Sequence, residues 1–406
     1  MNTLASSPPP QANRKRRGRR VRRWIGGGAL GLLILIIALW QGATLMVKPV
    51  TKGNVADVLD QYAGSQVPGL QYIVVDADGT LFEYAGGWAD IQNRKTMTLD
   101  TTLMAYSMTK TFTAVAILQL VEQGKLGLDD KIDRYLPDNP YGGHHITVRQ
   151  LLDHTSGLPN PIPLRWVHLT EEDASFDENA ALAQVLRDNP KLAFEPGQKF
   201  AYSNIGYWLL GKIVEQVTGQ SYPDNVRANV LLPLGLSAQE TDFVIPDPAR
   251  HANGYLAKYS LMNLMKGFVT DSKFWGDYEG DWLRLKSHHL NGPAFGGLVG
   301  TARGFTRFLQ DQLRTESVIF SPETKRLLET QQTDSAGESI PMALGWHIGE
   351  THDVVYFFKE GGGGGFHSEM RRYPTKSIAS VVMVNSTEFD STKFLNRVDG
   401  AFLEPR

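Results

Sequence analysis

Ser107 and Lys110 stand three residues apart in Tyr106-Ser107-Met108-Thr109-Lys110, where a helix reads as opening. A serine hydroxyl is a poor nucleophile until something takes its proton, and a lysine whose ammonium pKa is lowered by burial can do so. The spacing puts both on one helix face. The helix N-terminus adds backbone N–H groups and partial positive charge where negative charge develops on oxygen. Alone the signal is weak: a chain of this length should contain about one S-x-x-K by chance. A capping serine followed by a solvent lysine is the bland alternative. Two further motifs follow in order, Tyr202-Ser203-Asn204 and, after the apolar stretch Val354 to Phe358, Lys359-Glu360-Gly361. S-x-x-K and Y-x-N each occur once, whereas K-x-G recurs at Lys125-Leu126-Gly127, at a helix end.

These residues need elements to hold them. From Thr111 the chain is apolar on nearly every side until Gly124, which predicts a buried helix with a C-terminal stop. Before it, Asn54 to Tyr62 reads as a short helix, and Leu70 to Val75 and Leu81 to Ala85 as strands joined through the turn Asp76-Ala-Asp-Gly79. After it come a helix from Thr147 to Leu152 with Thr147 as N-cap, another from Ala180 to Asn189, and a third from Tyr207 to Thr218 closed by Gly219. Residues 259–289 scatter Leu261, Leu264, Phe268, Phe274, Trp275 and Trp282 among charges, and read chiefly as an aromatic-rich helical lobe packing its own core. Lining a substrate cleft or dipping into a membrane surface are the other readings. Phe305 to Leu313 reads as a helix. Val354 to Phe358, Phe366 to Arg372 and Ile378 to Val384 have strand character, and a last helix lies near Thr392 to Leu403. Two early and three late strands predict an α+β fold: one antiparallel sheet built from both chain ends, flanked by helices, with a mainly helical second lobe.

With all three motifs in place, the chain resembles the serine β-lactamase and penicillin-binding protein superfamily, in its class C β-lactamase branch with the related esterases and D-peptidases. The likeness runs over roughly residues 55–400 and includes Gly124-Lys-Leu-x-Leu-Asp-Asp130, Tyr135-Leu-Pro137, Thr147-Val-Arg-Gln-Leu-Leu-Asp-His-Thr-Ser-Gly-Leu158 and Glu195-Pro-Gly-Gln-Lys-Phe-Ala-Tyr-Ser-Asn204. The resemblance implies a β-lactamase/DD-peptidase-like fold without a cofactor. It makes Ser107 the nucleophile that becomes acylated, with Lys110 and Tyr202 sharing proton transfer. A phenol of pKa near 10 needs cations such as Lys110 and Lys359 beside it to act as a base, and which of Lys110 and Tyr202 takes the serine proton stays open. It makes Asn204, Lys359, Glu360 and Gly361 substrate-binding, and the backbone N–H groups of Ser107 and Gly362 the oxyanion hole. The implied partner is a small molecule or peptide with a carbonyl acyl group: a β-lactam, a D-amino-acid peptide or an ester. The departure is Glu360, where penicillin-handling members usually carry a hydroxyl; its charge is expected to disfavour an anionic substrate. The run Gly361 to Gly365 reads as a flexible turn, or as a widened cleft edge.

Composition narrows the remaining classes. The 406 residues, 42% hydrophobic and 21% charged, suffice for a large core and two lobes. Without cysteine there is no disulfide, thiolate zinc site, cysteine nucleophile or lipid-modified N-terminal cysteine. His144-His145 and His288-His289 are adjacent pairs that cannot share a face, so no metal site is expected. His154 and Ser156 read as loop braces, and no G-x-S-x-G is present. The net charge of -2 hides an asymmetry: eight Lys or Arg and no acid precede residue 48. The basic run 14–23 abuts the uncharged Trp24 to Val47, long enough to span a bilayer, so it marks a membrane rather than nucleic acid. The expectation is a basic cytoplasmic tail (1–23), a single-pass inner-membrane anchor (24–47) and an extracytoplasmic, periplasmic hydrolase domain (48–406), with a cleaved signal peptide as the alternative. The rival function is a non-turnover penicillin-binding sensor or binding protein; a sensor would be expected to carry a cytoplasmic signalling domain, for which residues 1–23 read as too short and basic.

Overall fold

The computed structural model describes residues 50–161 and 165–404, so the expected tail and anchor lie outside the described residues. Among those residues no helix is long and apolar enough to cross a membrane. After α1 (Val55–Tyr62), a seven-stranded sheet takes β1 (Gly69–Asp76), β2 (Thr80–Asp90) and β3 (Lys95–Thr96) from the start of the chain. It takes β4 (His347–Thr351), β5 (Val354–Gly363), β6 (Phe366–Tyr373) and β7 (Ile378–Val384) from the end. The order is β4-β5-β6-β7-β1-β2-β3, with antiparallel pairing throughout. The sheet is therefore built from both chain ends, as the strand pattern predicted. β1 and β7 lie side by side at its centre and are buried almost end to end, which explains their unbroken apolar runs. The β1–β2 turn is an Asx turn, with Asp76 Oδ1 accepting from the N–H groups of Asp78 (3.0 Å) and Gly79 (2.9 Å).

Helices cover both faces. α2 (Thr109–Glu122) is buried along nearly its whole circumference and gives way to Gly124 at φ +65°. α3 (Asn204–Thr218) starts three residues earlier than predicted, because the Ser203 hydroxyl caps it by accepting from Gly206 N–H; it ends at Gly219 with φ +71°. Asn204 thus sits in its first turn. The segment 259–289 is not a helical lobe. Only α4 (Leu261–Val269) and a 3-10 turn at Ser272–Phe274 are helical, and strands Gly254–Ala257, Trp275–Glu279 and Trp282–Leu285 make a small antiparallel sheet beside them. Its apolar residues divide between a minor core of Leu256, Leu283 and Leu285 and exposed positions such as Leu264 and Phe268. α5 (Ala302–Leu313) packs on β1 and β7, and α6 (Ser391–Val398) on β6. The main core lies between the sheet and the helical half around α2 and α3.

Candidate active site

Ser107 lies in a tight 3-10 turn, Tyr106–Met108, that runs directly into α2, rather than in the α-helix itself. Tyr106 carries φ +45°, a costly conformation for an aromatic residue. Its ring lies so close over Gly363 that a Cβ there would come within 2.5 Å of it. Its hydroxyl meets Gly364 O (2.8 Å) and His288 Nε2 (3.0 Å). The surroundings thus over-determine the strained turn that presents the serine.

One turn on, Lys110 is fully buried. Its Nζ lies 3.0 Å from Ser107 Oγ, 2.8 Å from Asn204 Oδ1 and 2.6 Å from the Phe295 carbonyl. From the other side, Tyr202 Oη lies 2.9 Å from Ser107 Oγ. Burial, and then the Lys359 charge, hold the Lys110 ammonium well below its ordinary range. Burial alone brings Lys359 down to about 7. Burial pushes the Tyr202 phenol up, against a smaller pull down from its bond to Ser107 and a further push from Glu360. Both shifts favour the uncharged forms, the Lys110 amine over its ammonium and the Tyr202 phenol over its phenolate. Tyr202 Oη donates to Ser107 Oγ, and Lys110 Nζ donates to Ser107 Oγ, Asn204 Oδ1 and the Phe295 carbonyl.

The third motif lies on β5. Lys359 is buried with its Nζ 3.4 Å from His347 Nε2 and 5.2 Å from the Tyr202 ring centre. Gly361, on the same face, touches the serine turn: a Cβ there would sit 2.1 Å from Ala105 O and 2.9 Å from Ser107 N. The two-residue hairpin pairs Gly363 with Phe366, and register then alternates along β5. By that alternation Gly362 directs its N–H away from β6, onto an edge that β4, ending its pairing at Phe358, leaves open. Gly361 to Gly363 thus form strand, not a flexible turn.

Glu360 does not join this cluster. It pairs directly opposite Glu369, on the face covered by α6, and its Oε1 lies 2.7 Å from His367 Nε2. Strand alternation turns its side chain from the face that Lys359 and Gly361 share with Ser107. The expectation that its charge sits where a substrate anion would lie is corrected accordingly.

His154, buried beside Tyr202, accepts the Ser203 N–H at Nδ1 (3.2 Å) and so braces the segment carrying Tyr202. His288 goes to Tyr106, while His289 faces His168. Among the described residues no group of His, Asp and Glu could hold a metal. Sequence reasoning missed several parts. Asn160 Oδ1 accepts from both Asn204 N (3.0 Å) and Nδ2 (3.1 Å); the Phe295 carbonyl, His347 and Tyr106 also belong to the site. A backbone carbonyl leaves no residue-type signal. The Asn160 contact joins a loop to the first turn of α3 across 44 residues, beyond any local pattern.

This fold, with its buried serine–lysine–tyrosine cluster, is that of the β-lactamase-type serine hydrolases. The β-lactamase family profile matches residues 55–402, and the chain belongs to that family; it is a serine hydrolase of the class C β-lactamase and D-aminopeptidase type. It is 28% identical over 321 residues to a penicillin-binding protein of Bacillus subtilis (strain 168), covering 78% of this chain and 68% of that protein. A protein named flp from Staphylococcus aureus (strain N315) is 34% identical over 177 residues, only 42% of this chain and 34% of that protein. In structure the chain is similar to a D-amino acid amidase from Ochrobactrum anthropi solved with L-phenylalanine amide. The TM-score is 0.68 at 23% identity, over 86% of this chain and 98% of that one, a likeness of fold.

Proposed function

We propose that the protein cleaves an ester, amide or lactam through an acyl-enzyme on Ser107. The observation that carries this is Ser107 Oγ held between Lys110 Nζ (3.0 Å) and Tyr202 Oη (2.9 Å) in a buried network. Lys110 takes the serine proton as Oγ attacks the carbonyl carbon, and the oxyanion is received by the N–H groups of Ser107 and Gly362. As the bond to the leaving group breaks, Tyr202 gives that group a proton and regains one from the Lys110 ammonium. Water then attacks the acyl-enzyme by the reverse proton path, releasing the acid. Asn204, fixed by Asn160, offers its amide to the substrate, and Lys359 sets the local potential. The penicillin-binding relative and the amidase fold neighbour point to acyl groups from lactams and amides as well as esters.

The test incubates the full chain in detergent with an activated ester and a chromogenic cephalosporin. Ser107→Ala should abolish turnover and labelling by a serine-reactive phosphonate. Lys110→Ala should slow acylation about 10²–10⁴-fold, the usual reach of general-base assistance. Wild-type activity in Ser107→Ala on every hydrolysed substrate would sink the mechanism.

Residues 1–23 are proposed to lie in the cytoplasm, with 24–47 as an uncleaved inner-membrane anchor and the hydrolase domain on the periplasmic side, since eight basic residues precede an uncharged span. Fractionated cells should hold the full-length chain in the membrane, with the C-terminal domain open to protease from outside. A mature soluble form beginning after about Ala43 would remove the anchor.

A further inference from the structure

Two histidines outside the Ser107 network face a hollow of their own. The short strands Val167–Leu169 and His288–Leu290 pair antiparallel, with His289 directly opposite His168. Opposed residues send their side chains to one face of the pair, and their chain neighbours go to the other. His288 accordingly turns to Tyr106 Oη (3.0 Å), while His168 and His289 line a separate cavity of about 300 Å3, at the lower end of the range for small-molecule sites. Neither Ser107, Lys110 nor Tyr202 reaches it. Phe176, Pro223, Phe243, Val244 and Leu290 give it apolar walls. Pro293 and Gly297 also line it, on either side of Phe295, whose carbonyl holds Lys110 from the other direction.

Most of the polar groups around this cavity are satisfied within the protein. His168 spans Asn291 Oδ1 and Asp173 Oδ1, each at 3.0 Å. Glu178 takes Trp208 Nε1 (2.8 Å) and Lys212 (2.9 Å), and Asp224 takes Arg227 (2.8 Å) and Ser221 (2.7 Å). His289 is the exception. It is only 6% exposed, it meets His168 by ring contact alone (5.8 Å between centres), and neither of its nitrogens has a hydrogen-bond partner among the described residues. Burial brings its imidazolium down to about 4, against an upward pull from Asp173. At neutral pH the ring is therefore neutral, with one nitrogen offering a lone pair. A buried nitrogen left unpaired destabilises a fold unless something uses it. Asp173 is the lining carboxylate with no Lys or Arg partner among the described residues, and its side chain is 46% exposed at the cavity mouth. A lone pair with a carboxylate beside it recognises a hydrogen-bond donor that carries positive charge, and the walls accept hydrocarbon. We infer that this cavity is a second ligand site, taking a primary ammonium with a small apolar body whose N–H groups donate to His289 and Asp173. The site stands whether or not Ser107 is acylated.

The experiment is a calorimetric titration of the full-length protein in detergent, at neutral pH, with three probes of one shape: phenethylamine, phenethyl alcohol and phenylacetate. Phenethylamine should bind once per chain with a Kd of about 1 mM or tighter, the reach of so small a ligand. The alcohol, which keeps a donor but loses the charge, should bind at least about tenfold more weakly, and the anion should not bind. His289→Leu removes the lone pair and keeps an apolar side chain in its place. Val244→Trp fills the cavity from a position that is 41% exposed, so it leaves the core untouched. Each should weaken phenethylamine at least about tenfold, with folding checked by the thermal midpoint. Equal affinity for amine and alcohol, binding that both folded variants leave unchanged, or no binding of the amine to the wild type overturns the site.

Discussion

Lys359 shows what the site costs. A lysine buried among Tyr202, Tyr207 and His347, with no carboxylate partner among the described residues, is held near 7 rather than 10.5. Between those values the unfolded chain binds the proton and the folded one does not, so stability rises with pH across the window. Below about 7 the folded protein carries the full cost of a buried cation. Lys359→Met should therefore melt several degrees higher than wild type at pH 6, with the gain shrinking toward pH 10, while turnover falls. Thermal melts at pH 6, 8 and 10 check this; a lower midpoint at pH 6 would mean that the charge is stabilised in place. At this scale the sequence was legible wherever chemistry is carried by residue type: Ser107, Lys110, Tyr202, Asn204 and Lys359 converge in space. It misled at Glu360, because a motif states neighbours along the chain and not the face to which each side chain turns.

The same limit holds for elements. α2 and β7 were legible because burial on all sides leaves uninterrupted apolar sequence. β4 was not, since His347-Ile-Gly-Glu-Thr351 neither alternates nor runs apolar, and the small sheet after α4 hides its strands among charges. The glycine run is the instructive miss. Glycine disfavours strand on propensity, yet β5 continues through Gly363 because the serine turn needs the strand at backbone-to-backbone distance. A methyl at Gly361 meets the Ala105 carbonyl at 2.1 Å, while one at Gly364 meets only side-chain atoms of Leu285 and His288 at 3.3 Å or more. Backbone cannot swing aside as a side chain can. Gly361→Ala should consequently push β5 from the Ser107 turn, opening the oxyanion edge and cutting kcat at least a hundredfold, the scale of losing one such donor. Gly364→Ala should stay within tenfold for the activated ester. Equal effects in steady-state assays of the two would show that the contact with Ala105 does not govern the site.

For the whole molecule, the question is how two ends of a chain some three hundred residues apart are made to form one sheet. Apolar runs at both ends announce the sheet but not what fastens it. The fastener is Asp399, just beyond α6 and 1% exposed. Its Oδ1 accepts from Tyr72 Oη on β1 (2.7 Å), and its Oδ2 from Tyr373 Oη on β6 (2.6 Å) and Ser380 Oγ on β7 (2.8 Å). Burial pushes its carboxyl up, and the nearby Arg371 charge pulls it back. No spacing rule could have found it, since its partners lie 19 to 327 residues away. Asp399→Ala would leave three buried hydroxyl donors without their acceptor at about 1–3 kcal/mol each, and even partial rescue by water leaves a loss of several kcal/mol. The midpoint should fall by roughly ten degrees, with the urea midpoint lowered and its slope unchanged. Asp399→Asn, which keeps acceptor capacity on one side only, should fall between. Because Asp399 reaches none of the Ser107 network, molecules that remain folded should acylate at the wild-type rate when active sites are counted with the phosphonate. An Asp399→Ala protein as stable as wild type would show that the two ends are held by apolar burial alone.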